Sequence, residues 1–164
     1  MLELTVAGWD WFAIESKFCN NQFELNQVFS KGLIGALQVD QIVNNYLSFT
    51  KLDGAREDND AGIYGYKNDQ AENYITKMEH YWDEGFGYLY GEDNQYSHDV
   101  GNGVLVAKYL GKGDVSGLDV EIYNAFKLGR AAIVAGDYEL KDKQAKVIKL
   151  GISKVIGYRA ASYL

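Results

Sequence analysis

An imidazole and two carboxylates lie close together in the run Glu79-His80-Tyr81-Trp82-Asp83-Glu84-Gly85-Phe86-Gly87-Tyr88. Side chains three and four positions apart share one face of a helix. A helical reading therefore brings His80, Asp83 and Glu84 together as candidate ligands for one divalent cation. Nitrogen and carboxylate donors suit iron, zinc or manganese, and Asp40 on an earlier helix is a candidate supplement. The same residues admit a plainer reading. The apolar stripe Ala71, Tyr74, Ile75, Met78, Trp82 and Leu89 falls roughly opposite His80 and Glu84, as on a helix with one solvated face. Gly87 keeps a functional reading open, because a water-facing helix gains nothing from glycine and aromatic residues crowd both sides of it.

A second polar set, Gln38, Asp40, Gln41, Asn44 and Asn45, belongs to the preceding helix and is placed to meet the first across a groove. Asp40 and Asn44 are one turn apart, so they either complete a site or serve as ordinary hydrogen-bonding groups. Arg130 is expected to neutralise a buried carboxylate. His98, between Ser97 and Asp99, reads as a surface histidine, and Cys19 as a small core residue. With two histidines and one cysteine, most nucleophilic and metallo-hydrolase schemes fail by counting. No nucleophile elbow, zinc-protease helix, paired-cysteine motif or phosphate-binding glycine loop is present. A hydrolytic enzyme ranks last, since carboxylates are available as acid and base but no nucleophile or orienting partner is identifiable.

The elements that must position these groups are helical, and the expected fold is an all-α bundle of about five or six helices forming a single domain. Proline is absent from all 164 residues, which removes the commonest helix breaker. A first helix is expected over about Thr5 to Lys17 and a second, central and largely buried, from about Phe23 to Leu47. The polar stretch Asp53 to Asp69 reads as a solvated loop, with a calcium loop as the sharper alternative that fails the EF-hand spacing at Gly62. The third helix is expected to start near Asp69, with Glu72 completing a capping box, and to end near Gly91. A second polar loop from Glu92 to about Gly103 precedes a short helix around Val104 to Leu110. Ser116 with Asp119 then opens a fifth helix, closed at Gly136. The last helix runs from about Lys141 to Leu164, its Lys141, Lys143, Lys146 and Lys149 reading as a solvated face. No Gly, Asn or Pro terminates it, which suggests that chain has been lost after Leu164 and that the sequence is a fragment.

The 16 Lys and Arg against 23 Asp and Glu give a net charge of -7. That balance disfavours nucleic acid and anionic membrane surfaces as partners. No apolar run is long enough to span a bilayer, and the N-terminus lacks a signal-peptide pattern.

Three blocks carry a family resemblance. Asn21-Gln22-Phe23-Glu24-Leu25 with Lys31-Gly32-Leu33-Ile34-Gly35-Ala36, the run Lys77 to Tyr88, and Ala125-Phe126-Lys127-Leu128-Gly129-Arg130-Ala131-Ala132-Ile133 resemble, in the same order, bacterial lipoproteins grouped as domain of unknown function 4856. The resemblance implies a helical protein of the periplasm or cell surface, longer than this chain, with no established activity. The block around His80 is also similar in kind to the His-x-x-Glu helix of imelysin-like envelope proteins, which implies a connection with iron. Here Met78 stands where that motif has glycine, and Asp83 where it has glutamate. Two functional expectations follow: a binding protein taking a divalent metal, with His80, Asp83, Glu84 and Asp40 as ligands, or a metal-free interaction or scaffold module using the same polar face.

Overall fold

A computed structural model describes residues 29, 32–68, 73–91, 106–111 and 115–161, and every structural statement below concerns those residues. The expected first helix, Cys19, His98 and the second polar loop lie outside them.

The chain is mostly helical, as expected, with one small sheet. Two successive π-helical segments, π1 (Ile34–Val39) and π2 (Gln41–Tyr46), lead into two short helices, α1 (Phe49–Asp53) and α2 (Arg56–Asp60). An antiparallel hairpin follows, β1 (Tyr64–Asn68) and β2 (Asn73–Thr76). Then come α3 (Lys77–Tyr90), α4 (Val106–Gly111), α5 (Leu118–Ala135) and α6 (Tyr138–Ala161).

The core gathers on α3, α5 and α6. Helix α5 buries Leu118, Ile122, Ala125, Phe126, Ala132 and Ile133, close to the expected stripe. Against it lie Met78, Trp82 and Leu89 of α3 and Ala145, Ile148, Ile152 and Val155 of α6. Trp82 meets Phe126 edge-on at 6.0 Å between ring centroids, and its indole Nε1 donates to the Phe126 carbonyl at 2.9 Å. Gly129 makes this possible. A Cβ there would stand 2.0 Å from the Trp82 ring, so only glycine lets the indole lie on the α5 backbone.

Five expectations are corrected. The second helix is wound with i→i+5 hydrogen bonds, seen where Leu47 N donates to Ile42 O at 3.0 Å. That winding rotates the expected stripe, burying Ile34, Ile42 and Leu47 while leaving Leu33 and Leu37 exposed. The stretch after Asp53 is not one loop: Arg56 to Asp60 is a helical turn, and β1 follows. Residues 73–76 form a strand, so the third helix starts at Lys77 and not near Asp69. Thr76 and Glu79 supply its capping box, and Tyr74, expected inside, is exposed on the hairpin. Finally, α6 starts earlier than Lys141, where the Asp137 carboxylate accepts from Leu140 N at 3.0 Å. The register then places Lys141 in line with Ala145, Ile148 and Ile152. Lys141 is fully buried, its ammonium 2.7 Å from Asp53 and 2.9 Å from Asp142, and is no part of a solvated face.

At α5 the cap is also displaced by one residue. Gly117, at φ 76°, occupies the N-cap position in place of Ser116, while Gly136, at φ 70°, closes the helix as expected.

Candidate functional site

Helix α3 carries two sets of polar side chains, and the structure puts them to different uses. On the inner side, Thr76 Oγ1 accepts from Glu79 N at 3.3 Å while Glu79 Oε2 accepts from Thr76 N at 2.6 Å. The other oxygen of Glu79 accepts from Arg130 Nη1 at 2.5 Å, and Arg130 Nε donates to Asp83 Oδ1 at 2.9 Å. The expected ion pair of Arg130 with a buried carboxylate is thus made, with Glu79 buried and Asp83 partly buried. Burial raises the Asp83 carboxyl above its ordinary pKa, and the Arg130 charge opposes the rise.

The same network runs on into the neighbouring helices. Thr76 Oγ1 donates to Asn59 Oδ1 at 2.6 Å, and the Asn59 amide donates to the Ile133 carbonyl at 3.1 Å and to the Tyr138 hydroxyl at 3.0 Å. The Tyr138 hydroxyl in turn donates to Asp60. Arg130, Thr76, Asn59 and Tyr138 therefore tie α2, β2, α3, α5 and α6 together. Of these, the Thr76-x-x-Glu79 spacing and the pairing of Arg130 with a buried carboxylate are the signals the sequence offers. The rest depends on residues far apart in the chain.

The outer side of α3 is different. The His80 ring stacks on Tyr66 of β1 at 4.3 Å with a 12° interplanar angle, and its Nε2 is 3.8 Å from Glu84 Oε1. From there an aromatic row continues through Tyr81 and Tyr46 to Tyr88, with ring centroids 6.0, 6.4 and 5.3 Å apart in turn. The Lys51 ammonium lies 4.2 Å from the Tyr46 ring centroid and 4.5 Å from that of Tyr81, and it donates to Asn45 Oδ1 at 2.8 Å. Burial, the Glu84 charge and the adjoining Tyr88 hydroxyl raise the Tyr46 pKa. Beyond Tyr88 an open groove of about 380 Å³ is lined by Leu37, Gln38, Glu84, Gly87 and Tyr88. Among the described residues nothing stands within 4 Å of a Cβ placed on Gly87.

The second polar set does meet α3 beside this groove, through π2. Its members are mostly tied to one another: Asn44 donates to Asp40 at 2.8 Å, and Asn45 to Gln41 at 2.6 Å. Gln38 Oε1 accepts from Val106 N at 3.1 Å, which anchors α4. Of the four expected ligands, His80 and Glu84 are neighbours, Asp83 is turned to Arg130, and Asp40 is held by Asn44 on the exposed side of the π-helical segment. Among the described residues no three His, Cys, Asp or Glu side chains are grouped so that they could hold a metal ion.

The class that fold and site define is a mostly helical domain with an aromatic, partly open face on α3. The family described as Domain of unknown function (DUF4856) matches residues 12–164, and the chain belongs to that family. The match bears out the first resemblance seen in the sequence and leaves the imelysin-like one without support. No curated protein and no solved structure matches the chain at a significant level. Among the described residues no helix is long and apolar enough to cross a membrane.

Proposed function

We propose that this domain is a metal-independent interaction module of the cell envelope, docking a helical segment or protein partner on the outer face of α3. The observation that carries the reading is the division of labour on that helix. Glu79 and Asp83 are engaged by Arg130, whereas His80, Glu84, Gly87 and Tyr88 face a row of partly exposed tyrosines. Tyrosine offers large contact area at small entropic cost and a hydroxyl for hydrogen bonding, and aromatic residues are enriched at protein interfaces. The envelope location follows the family resemblance.

A second reading keeps a divalent metal such as iron or zinc, handled in an uptake system. His80 and Glu84 are its starting pair, and the 3.8 Å between Nε2 and Oε1 favours it. In that reading Asp83 and Asp40 leave their present partners on metal binding.

One experiment separates the two. Protein treated with chelator and reconstituted is analysed for metal, as wild type, His80→Ala and Asp83→Ala/Glu84→Ala, with circular dichroism confirming the fold. Sedimentation of wild type and Tyr88→Ala is measured in chelator. The docking reading expects no stoichiometric metal and a concentration-dependent association that Tyr88→Ala weakens. Stoichiometric metal lost in the variants would replace it with the second reading.

A further inference from the structure

We infer that the groove beside Gly87 receives a cationic side chain, an arginine in preference to a lysine, from a protein partner; the inference rests on the docking reading above and names the chemistry of what docks.

Three observations carry it. Among the described residues the one charged side chain lining the groove is Glu84, which is 40% exposed. Its ion-pair partner among the described residues is His80, at 3.8 Å, which is beyond hydrogen-bonding distance and leaves the carboxylate able to accept from an incoming donor. Secondly, the missing side chain at Gly87 opens the α3 backbone between Glu84 and Tyr88, one turn and one residue away on the same helix. A flat group can approach the backbone there, because among the described residues nothing stands within 4 Å of the Cβ position.

The third observation is an internal precedent. On the same aromatic row, the Lys51 ammonium already sits over the Tyr46 and Tyr81 rings with the Asn45 side-chain oxygen as acceptor. The groove offers related components next door: the Tyr88 ring, 5.3 Å from that of Tyr46, and an oxygen acceptor. Here the acceptor carries a full charge in place of the amide's dipole. A guanidinium suits such a site better than an ammonium, since it pairs with a carboxylate through two parallel N–H groups and stacks on an aromatic face. The net charge of -7 adds long-range attraction for a basic partner.

The test uses the full chain, titrated calorimetrically at low ionic strength with tetra-arginine amide and, separately, tetra-lysine amide. The proteins are wild type, Glu84→Gln, Gly87→Leu, and Glu121→Gln as a charge-matched control on the exposed side of α5. Unchanged circular dichroism shows that each is folded. The expected result is a loss of about tenfold in tetra-arginine affinity for both Glu84→Gln and Gly87→Leu, as for one partly exposed charge-assisted contact. Glu121→Gln should stay within about twofold of wild type, and tetra-lysine should bind wild type more weakly than tetra-arginine. Equal losses in all three variants would mean diffuse attraction to an acidic surface and overturn the assignment. Losses in none of them, or no binding by wild type, would overturn it as well. Either failure, alongside metal-free association that Tyr88→Ala still weakens, removes the cation and leaves the docking face. Stoichiometric metal removes both.

Discussion

The two long sides of α3 carry similar chemistry and differ in what surrounds it. On the inner side, Glu79 and Asp83 are one turn apart and share the Arg130 guanidinium, and Glu79 also closes the capping box at Thr76. On the outer side, Glu84 follows His80 at the same spacing, yet the pair is looser and flanked by a groove; Asp83 and Glu84 are about equally exposed, so the partner makes the difference. Carboxylates at helical spacing thus serve as a brace where an arginine from another helix reaches them, and stay available where none does. Two glycines repeat the contrast: Gly129 lies under the Trp82 indole, whereas a Cβ at Gly87 would meet no described residue within 4 Å.

If this division is right, the largest loss belongs to Gly129→Ala. The added methyl drives into the Trp82 ring and displaces the indole from the Phe126 carbonyl, so urea unfolding should show a loss of about 3 kcal/mol. Arg130→Met comes next. It leaves Glu79 buried without its counter-charge, and a loss of about 2 kcal/mol is expected, less than for a fully buried pair because Arg130 is partly exposed. The double variant Arg130→Met/Glu79→Gln should recover part of that loss, and a double-mutant cycle checks it.

Gly87→Ala should change the sign. Alanine is the better helix former and meets no neighbour, so a gain of about 0.8 kcal/mol is expected in the same unfolding measurement. A loss there would mean that Gly87 is structural and would dissolve the contrast with Gly129. Glu84→Gln should change stability by less than about 0.5 kcal/mol, as exposed ion pairs do. A cost comparable to that of Arg130→Met would show that the outer side also braces the fold.

The smallest effect is a pH dependence at Asp83. Burial raises its carboxyl pKa in the folded state, so between the ordinary value and the raised one the folded protein holds more protons than the unfolded chain. Its contribution to stability therefore falls as pH rises through that window, the reverse of the usual carboxylate. Comparing melting temperatures across acidic pH, wild type should lose ground to Asp83→Asn as pH rises above 3.8. A wild type that gains on the variant over that range would show that Arg130 outweighs burial.

Much of the helical architecture was legible because its signals are local. The fifth helix declared itself through its apolar period and the glycine at 136, and the Arg130 pairing through the cost of a lone buried charge. Where two local signals competed, the reading failed: Asp69 with Glu72 and Thr76 with Glu79 have the same cap spacing, and the hairpin strand at 73–76 decides for the second. The π winding of the second helix puts more residues in each turn than the roughly 3.6 of an α-helix, so a stripe read at the α period is rotated and Leu33 and Leu37 face outward.

From its residues alone, then, this protein was bound to be acidic, helical, free of proline kinks and short of nucleophiles, because composition and 3.6-residue periodicity act within a few turns of chain. Only the tertiary structure decided which carboxylates of α3 are spent. Arg130 lies 47 residues from Asp83 and 51 from Glu79 in sequence, and no local pattern says which of several acidic side chains its guanidinium reaches. The same holds for Lys141, whose charge looked solvated until the register of α6 placed it beside Asp53, 88 residues away. Long-range charge pairing is set by how helices pack, and packing is a property of the whole chain.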